Sequence, residues 1–151
     1  MKIKNKGIVV ATIPNRYLSV TCIGKAESWV SGNNRTIPHI NIHESVKDSV
    51  NTTDQFGAGD NSVTNKQKLI YSGSDLGTVN IVRHGELERL INTPPDWRPR
   101  GLCYTRFGDL LVHVVMCSTG IKVMNNHKIF RYGKHERKQE IPYDRHKKSN
   151  C

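Results

Sequence analysis

The apolar positions of the chain fall in short runs, separated by clusters of Gly, Asn, Asp and Ser. Typical runs are "ESWVSG" at 27–32, "KLIYSG" at 68–73 and "DLLVHVV" at 109–115, which contain the β-branched and aromatic residues that favour strands. No window of 12 residues keeps the 3.6-residue period of an amphipathic helix. The pattern therefore predicts an all-β chain of short strands joined by turns.

These runs repeat with a period of 41 residues, so that Ser31-Gly32 returns as Ser72-Gly73. Each period holds four predicted strands, and the strand "GIVVATIP" precedes the first period. Four antiparallel strands every ~40 to 45 residues are typical of a β-propeller blade. A sandwich or a small barrel does not require similar units at equal spacing. We therefore predict a partial β-propeller of about three four-stranded antiparallel blades plus one orphan N-terminal strand.

The period also divides the chain. Residues 1–16 form a basic N-terminal segment that contains the orphan strand. The three blades are predicted at 17–56, 57–97 and 98–144, with the insertion "CSTGIKVMNN" between the second and third strands of the last blade. Residues 145–151 form a basic tail.

The net charge of +10 is concentrated at the two ends of the chain. Residues 1–16 carry four basic residues and no acidic one, and residues 122–151 carry nine basic and three acidic ones. The 105 residues between them carry ten of each sign. Because a nucleic-acid interface needs a basic surface on the folded body, this distribution argues against one on the blades.

The cysteines and histidines do not form a ligand set for a metal. The four cysteines contain no C-x-x-C pair, and His43 and His84 lie 41 residues apart, as equivalent turn positions of two blades. The sequence therefore indicates no metal and no cofactor. Cys22 and Cys103 fall in first strands, where we expect small buried side chains.

The apolar run "GIVVA" near the N-terminus is too short for the core of a signal peptide or for a membrane span. We therefore expect a cytoplasmic protein with reduced thiols and no membrane association.

The segment "PRGLCYTRFGDLLVHV" at 99–114 resembles the P-x-G-[IL]-x-V-x-x-x-G-x-[IL]-x-V core of NHL repeats. With the surrounding segments "WVSGN", "HINIH" and "TVNIVRHGELERLI", residues 8–144 look like the NHL-type propellers of the tripartite-motif-like proteins of bivalve molluscs. The second copy departs from the pattern, because Ala58-Gly59-Asp60 replaces Pro-x-Gly. The resemblance implies a six-bladed ring of about 250 residues at this period.

The chain supplies half of such a ring, and an arc of three blades leaves the outer faces of its first and last sheets uncovered. We therefore expect a fragment, or a chain that covers these faces by self-association. In the family, the propeller is joined to a RING finger, B-boxes and a coiled coil, which together make a ubiquitin ligase. This sequence lacks the Cys and His ligands of a RING finger.

The candidate partner-binding residues cluster around "TPPDWRPRG" at 93–101, which we expect to be the loop that links the second and third blades. Its prolines would stiffen a loop that presents Trp97, Arg98 and Arg100, residue types that anchor interfaces or stack on bases. The alternative is that Trp97 fills the groove between blades and the arginines are solvated. The second-to-third turns should lie on the same side, and they contribute Asn33, Asn34, Arg35 and Asp75.

No G-x-S-x-G motif and no Gly-rich phosphate loop occurs, so the sequence favours a non-enzymatic module that binds a protein partner. One alternative is a propeller that binds single-stranded RNA. Another is the substrate-recognition arm of a ubiquitin ligase whose RING finger lies outside this chain.

Overall fold

A computed structural model of the chain describes residues 17–32, 35–43, 45–55, 57–117, 126–133 and 136–142. Within these ranges the chain forms strands and no helix, which confirms the prediction of an all-β fold. The same ranges thus contain no helix that is long and apolar enough to cross a membrane. The predicted orphan strand at 7–14 lies outside the described residues.

The strands form three four-stranded sheets. Sheet 1 consists of β1 (Tyr17–Ile23), β2 (Glu27–Gly32), β3 (Thr36–Asn41) and β4 (Ser45–Asn51). Sheet 2 consists of β5 (Asn61–Val63), β6 (Leu69–Gly73), β7 (Thr78–Arg83) and β8 (Glu86–Asn92). Sheet 3 consists of β9 (Trp97–Tyr104), β10 (Asp109–Met116), β11 (His127–Gly133) and β12 (Glu136–Pro142).

Each sheet is an antiparallel meander in chain order, and this order fixes its two ends. The first-to-second and third-to-fourth turns lie at one end, which we call the turn end. The second-to-third turn and the link to the next sheet lie at the other, the link end. The β7–β8 turn at the turn end has positive φ at both His84 (52°) and Gly85 (78°), as a type I′ hairpin requires.

The first strands of the three sheets are neighbours, since β1 contacts β5 and β5 contacts β9. The sheets therefore pack against one another around these first strands. Trp97, which the predicted division assigns to the second blade, is the first residue of β9. The division of the chain at residues 56 and 97 otherwise remains a prediction.

The larger part of the hydrophobic core lies between sheets 2 and 3. Its buried residues come from β6, β7, β8, β10 and β11, and they are Ile70, Val79, Ile81, Ile91, Leu110, Val112, Val114, Phe130 and Tyr132. A smaller cluster between sheets 1 and 2 contains Ile37, Ala58, Leu69 and Tyr71. All five residues of β6 are buried, because this strand is covered on both faces.

The serine of the repeated Ser-Gly pair connects sheet 1 to the first strand of sheet 2, and sheet 2 to the first strand of sheet 3. Ser31 and Ser72 are fully buried at the ends of β2 and β6. The hydroxyl of Ser31 accepts a hydrogen bond from Asn61 Nδ2 at 2.8 Å, and that of Ser72 lies 3.4 Å from the carbonyl oxygen of Arg100. A small polar residue is therefore needed here, because it must fit between two sheets and still bind across them.

Asp60 links the first strands of sheets 2 and 3. Its Oδ1 accepts the amide of Asn61 and its Oδ2 accepts the amide of Leu102, each at 2.8 Å. Tyr104 similarly donates its amide to the Ser62 hydroxyl at 3.3 Å. Amides on the first-strand edge of a sheet have no ladder partner, so these side chains supply the acceptors.

The two end sheets carry apolar side chains on their outward faces. Thr21 donates to the carbonyl of Asn61 and so faces sheet 2, which directs Val20 and Cys22 outward by the alternation of a strand. Val20 is 66% exposed, and Cys22 and Cys103 are also exposed. The prediction that both cysteines are buried is therefore wrong, because each lies on an outward face. Self-association through these faces remains a prediction.

We expect Asp60→Ala to lower the free energy of unfolding by about 2 kcal/mol, because two backbone amides lose a charged acceptor. Urea denaturation measures the change. Glu86→Ala, at an exposed position in β8, removes the same charge and should change the stability by less than about 0.5 kcal/mol. Equal stability of the two variants would contradict the role of Asp60.

Candidate functional site

Trp97 lies in a strand and packs against the hydrophobic core rather than standing in a loop. Residues 97–100, predicted as part of the linking loop, belong to β9. The half-buried Trp97 ring packs edge-on against Phe130, with centroids 6.2 Å apart, and Lys128 Nζ lies 4.7 Å from its centroid. These contacts correspond to the alternative in which Trp97 fills the space between blades, and its role in partner binding remains a prediction.

The link between sheets 2 and 3 is fixed by hydrogen bonds to the β6–β7 turn. Thr93 donates its amide to the Gly77 carbonyl at 2.8 Å, and its hydroxyl lies 3.0 Å from that oxygen and 2.5 Å from the Trp97 carbonyl. Ser74 donates its hydroxyl to the carbonyl of Pro99 at 2.7 Å. We call the surface formed by residues 74–77 and 93–100 the link face.

Arg98, Arg100 and Asp75 all belong to the link face. Arg98 is half-buried, and its guanidinium packs against Gly77. The contact is close, because a Cβ atom built on Gly77 would lie only 3.1 Å from Arg98 Nη1. Arg100 is the extra residue of a β-bulge, because Gly101 pairs with His113 and Pro99 with the next residue of β10. Such a bulge turns a side chain out of the regular alternation, and Arg100 is exposed.

Sheet 1 carries the remaining candidates. Asn33 and Asn34 lie outside the described residues. Arg35 is exposed; its carbonyl accepts the amide of Thr52 at 2.6 Å, and its Nε donates to the Gln55 carbonyl at 3.4 Å. The hydrogen bond from the Thr52 amide to the Arg35 carbonyl corresponds to the bond from the Thr93 amide to the Gly77 carbonyl, one period later in the chain. Arg35 therefore lies at the link end, and its role in partner binding remains a prediction.

Asp54, in the link between sheets 1 and 2, is a buried acid that no motif in the sequence marks. It is 1% exposed, and within the described part of the chain neither carboxylate oxygen makes a hydrogen bond of full geometry, so the backbone amide of Leu76 interacts with it only weakly. Burial raises the pKa of Asp54, and the charge of Asp75 raises it further, while the amide of Leu76 acts in the opposite direction. A Cβ at Gly73 would lie 2.6 Å from both carboxylate oxygens, so only glycine fits beside this side chain.

Two histidine clusters use their ring nitrogens within the fold. The His39 ring stacks on Trp29. Its Nδ1 lies 2.9 Å from Asp48 Oδ1, and its Nε2 lies 3.0 Å from Glu27 Oε2. His113 Nε2 lies 2.9 Å from His127 Nδ1.

Burial lowers the pKa of His113, and the nearby His127 and Arg100 lower it further. Among the described side chains, no group of three or more His, Cys, Asp or Glu residues could hold a metal ion.

A cavity of about 570 Å³ lies between sheets 2 and 3 at the turn end. Its apolar wall includes Ile81, Leu90, Tyr104 and Leu110, and its basic rim consists of Lys66, Lys68, Arg83 and His84. We call this cavity the basic groove. No linear motif predicts the groove, although the closely spaced Lys66 and Lys68 next to a predicted turn indicate a basic rim.

Comparison with solved structures identifies the architecture. A streptogramin B lyase matches over 87% of this chain and 42% of its own, with a TM-score of 0.61 and 15% identity. The virginiamycin B lyase from Staphylococcus aureus matches over 87% of this chain and 56% of its own, with a TM-score of 0.59 and 11% identity. The chain has a β-propeller fold. The predicted partial propeller of four-stranded blades is thus confirmed.

This propeller spans about half the length of the two lyases. No protein-family model matches the chain, and no curated protein matches it. At this level of identity the likeness shows the fold alone.

The prediction that the chain is not an enzyme is contradicted by the same comparison, because both solved propellers are lyases. The prediction relied on missing hydrolase and nucleotide motifs. Lyases break bonds without hydrolysis, so those motifs have no bearing on them.

We expect Asp54→Asn to raise the free energy of unfolding near neutral pH by about 1 kcal/mol, because the substitution removes a buried charge that the Leu76 amide compensates only weakly. The folded pKa lies above the unfolded one, so the folded state of the original protein loses stability as the pH rises through these two values. The gain should therefore disappear at a pH below the ordinary range of an aspartate carboxyl.

Urea unfolding over a pH series measures this gain. Glu86→Gln neutralises an exposed acid and should show little pH-dependent gain. A loss of stability in Asp54→Asn at neutral pH, or a gain that persists unchanged in acid, would contradict the expectation.

Proposed function

We propose that the chain is a protein-binding module that holds its partner on the link face, as the propeller region of a tripartite-motif-like protein. The observation that carries this proposal is the presentation of Arg98 and Arg100 beside a turn that is hydrogen-bonded to their strand. A substrate-recognition role in a ubiquitin ligase would be one form of this function, with the RING finger supplied elsewhere.

The link face supports binding because it is pre-organised. The bonds from Thr93 and Ser74 hold the β6–β7 turn against the start of β9, so little backbone entropy would be lost on association. Arg98 is already restricted by its half-buried position against Gly77.

The link face carries Arg98 and Arg100 together with Asp75 and Asp96, so its formal charge is zero and it offers a partner two guanidinium groups rather than a net positive charge. Arginine is enriched among the residues that dominate binding energy, since its planar guanidinium binds carboxylates through two hydrogen bonds. Arg35 adds a third guanidinium at the same end of the sheets. Trp97 is not needed for this proposal, because its ring packs against Phe130.

We expect Arg98→Gln/Arg100→Gln to reduce recovery of a specific partner at least fivefold in a pull-down with quantitative mass spectrometry, because two interface charges are lost. Lys25→Gln/Lys47→Gln, which removes two exposed positive charges from sheet 1, is the matched control and should retain the partner. Equal recovery with both double variants would exclude the link face as the binding surface.

Single-stranded RNA is the second candidate partner, favoured by the three arginines at one end of the sheets. If Arg35, Arg98 and Arg100 each contact a phosphate, the logarithm of the binding constant should fall against the logarithm of salt concentration with a slope of about −2. Arg98→Gln/Arg100→Gln should reduce that slope to about −0.7. A mobility-shift titration with random-sequence RNA measures both slopes, and no shift at low ionic strength would exclude RNA.

A further inference from the structure

The basic groove lies at the turn end, so it is separate from the link face and from the function proposed for it. Its walls are provided by the seam between sheets 2 and 3, where Ile81 and Leu110 belong to the hydrophobic core. Leu90 and Tyr104 pack against the same core and are half-buried. An apolar surface is therefore present inside the groove, on side chains whose positions the core already fixes.

The rim of the groove is positively charged. Lys66 and Lys68 are exposed on the β5–β6 turn, Arg83 is the last residue of β7, and His84 begins the β7–β8 turn. Glu88 forms an ion pair with Arg83, at 3.1 Å between Nε and Oε2. No acidic residue is among the described residues that line the groove, so the two lysines have no acidic neighbour in the lining.

The two lysines are held by a structured turn. Thr64 accepts the amide of Lys68 on its hydroxyl at 3.1 Å and donates its own amide to the carbonyl of Lys68 at 2.9 Å. Asn65 Nδ2 donates to the carbonyl of Arg106 at 3.4 Å, which ties this turn to the β9–β10 turn across the groove. The groove is thus formed before any ligand arrives.

We propose that the basic groove binds a small organic anion with an apolar body, whose carboxylate, sulfonate or phosphate lies at Lys66 and Lys68. A volume of about 570 Å³ falls within the usual range of small-molecule sites, roughly 300 to 1,000 Å³. Such sites combine apolar walls with a few polar groups that orient the ligand. The basic groove combines the same two features, because its apolar wall lies between the sheets and its basic side chains lie at the turn end.

The test uses two probes that share an aromatic body. 8-Anilinonaphthalene-1-sulfonate carries an anion, and N-phenyl-1-naphthylamine lacks it. We expect the anionic probe to bind the full chain saturably at one site, at least about fivefold more tightly than the neutral probe, with an affinity that falls as salt is added. Fluorescence titration and calorimetry give the affinity and the stoichiometry.

Lys66→Gln/Lys68→Gln should weaken the anionic probe about fivefold and leave the neutral probe within about twofold, because exposed charge pairs contribute about 0.5 kcal/mol each. Lys25→Gln/Lys47→Gln is the control of equal charge and should bind both probes as the original protein does. Leu90→Trp fills the groove without changing its charge, and it should weaken both probes. Circular dichroism checks that each variant is folded.

The proposal would be overturned by binding that does not saturate, by equal affinity for the two probes, or by equal effects of the two double-lysine variants. It would also be overturned if folded Leu90→Trp kept the original affinity, because the probe would then be bound elsewhere, for example on an outward sheet face. These outcomes are independent of the link face, whose residues none of the variants changes.

Discussion

The contact between the face of one sheet and the face of the next holds this propeller together, because the ladder hydrogen bonds stay within each sheet. A single four-stranded sheet cannot bury its apolar residues alone, so each sheet depends on its neighbour. Sheet 2 shows this dependence most clearly. Every residue of β6 is buried, with Leu69 and Tyr71 in the cluster toward sheet 1 and Ile70 in the cluster toward sheet 3.

The same dependence explains why polar side chains are needed between the sheets. A first strand has no ladder partner on one edge, and burying that edge without acceptors would leave unsatisfied amides. Asp60 and Ser62 supply acceptors toward β9, and Thr93 and Ser74 close the link end of the same seam. Both candidate sites lie on this seam, the link face at one end and the basic groove at the other, where the core and these bonds fix the backbone.

The period of 41 residues was enough to predict the strands, since β2 and β6 begin and end within one residue of the predicted runs. It failed at the start of β9, where the prolines of residues 93–101 suggested a loop. β9 is an edge strand of its sheet, and an edge tolerates the missing amide of Pro99 and the bulge at Arg100. The basic groove could not be predicted in this way, because its wall and rim come from several separate segments and carry no linear motif.

The two seams differ in how well they are stabilised. The cluster between sheets 2 and 3 contains nine buried residues of the described chain, whereas the one between sheets 1 and 2 contains four. The first seam also buries Asp54, on which only the amide of Leu76 acts weakly, while Asp60 at the second seam accepts two amides. Pro95 occupies the position one period after Asp54, and it is exposed. Of the two seams that the structure describes, only the first therefore has a buried acid at this position. Local opening follows the weakest packing, so sheet 1 should separate before sheets 2 and 3 do, and the surfaces that both proposals use would survive that opening.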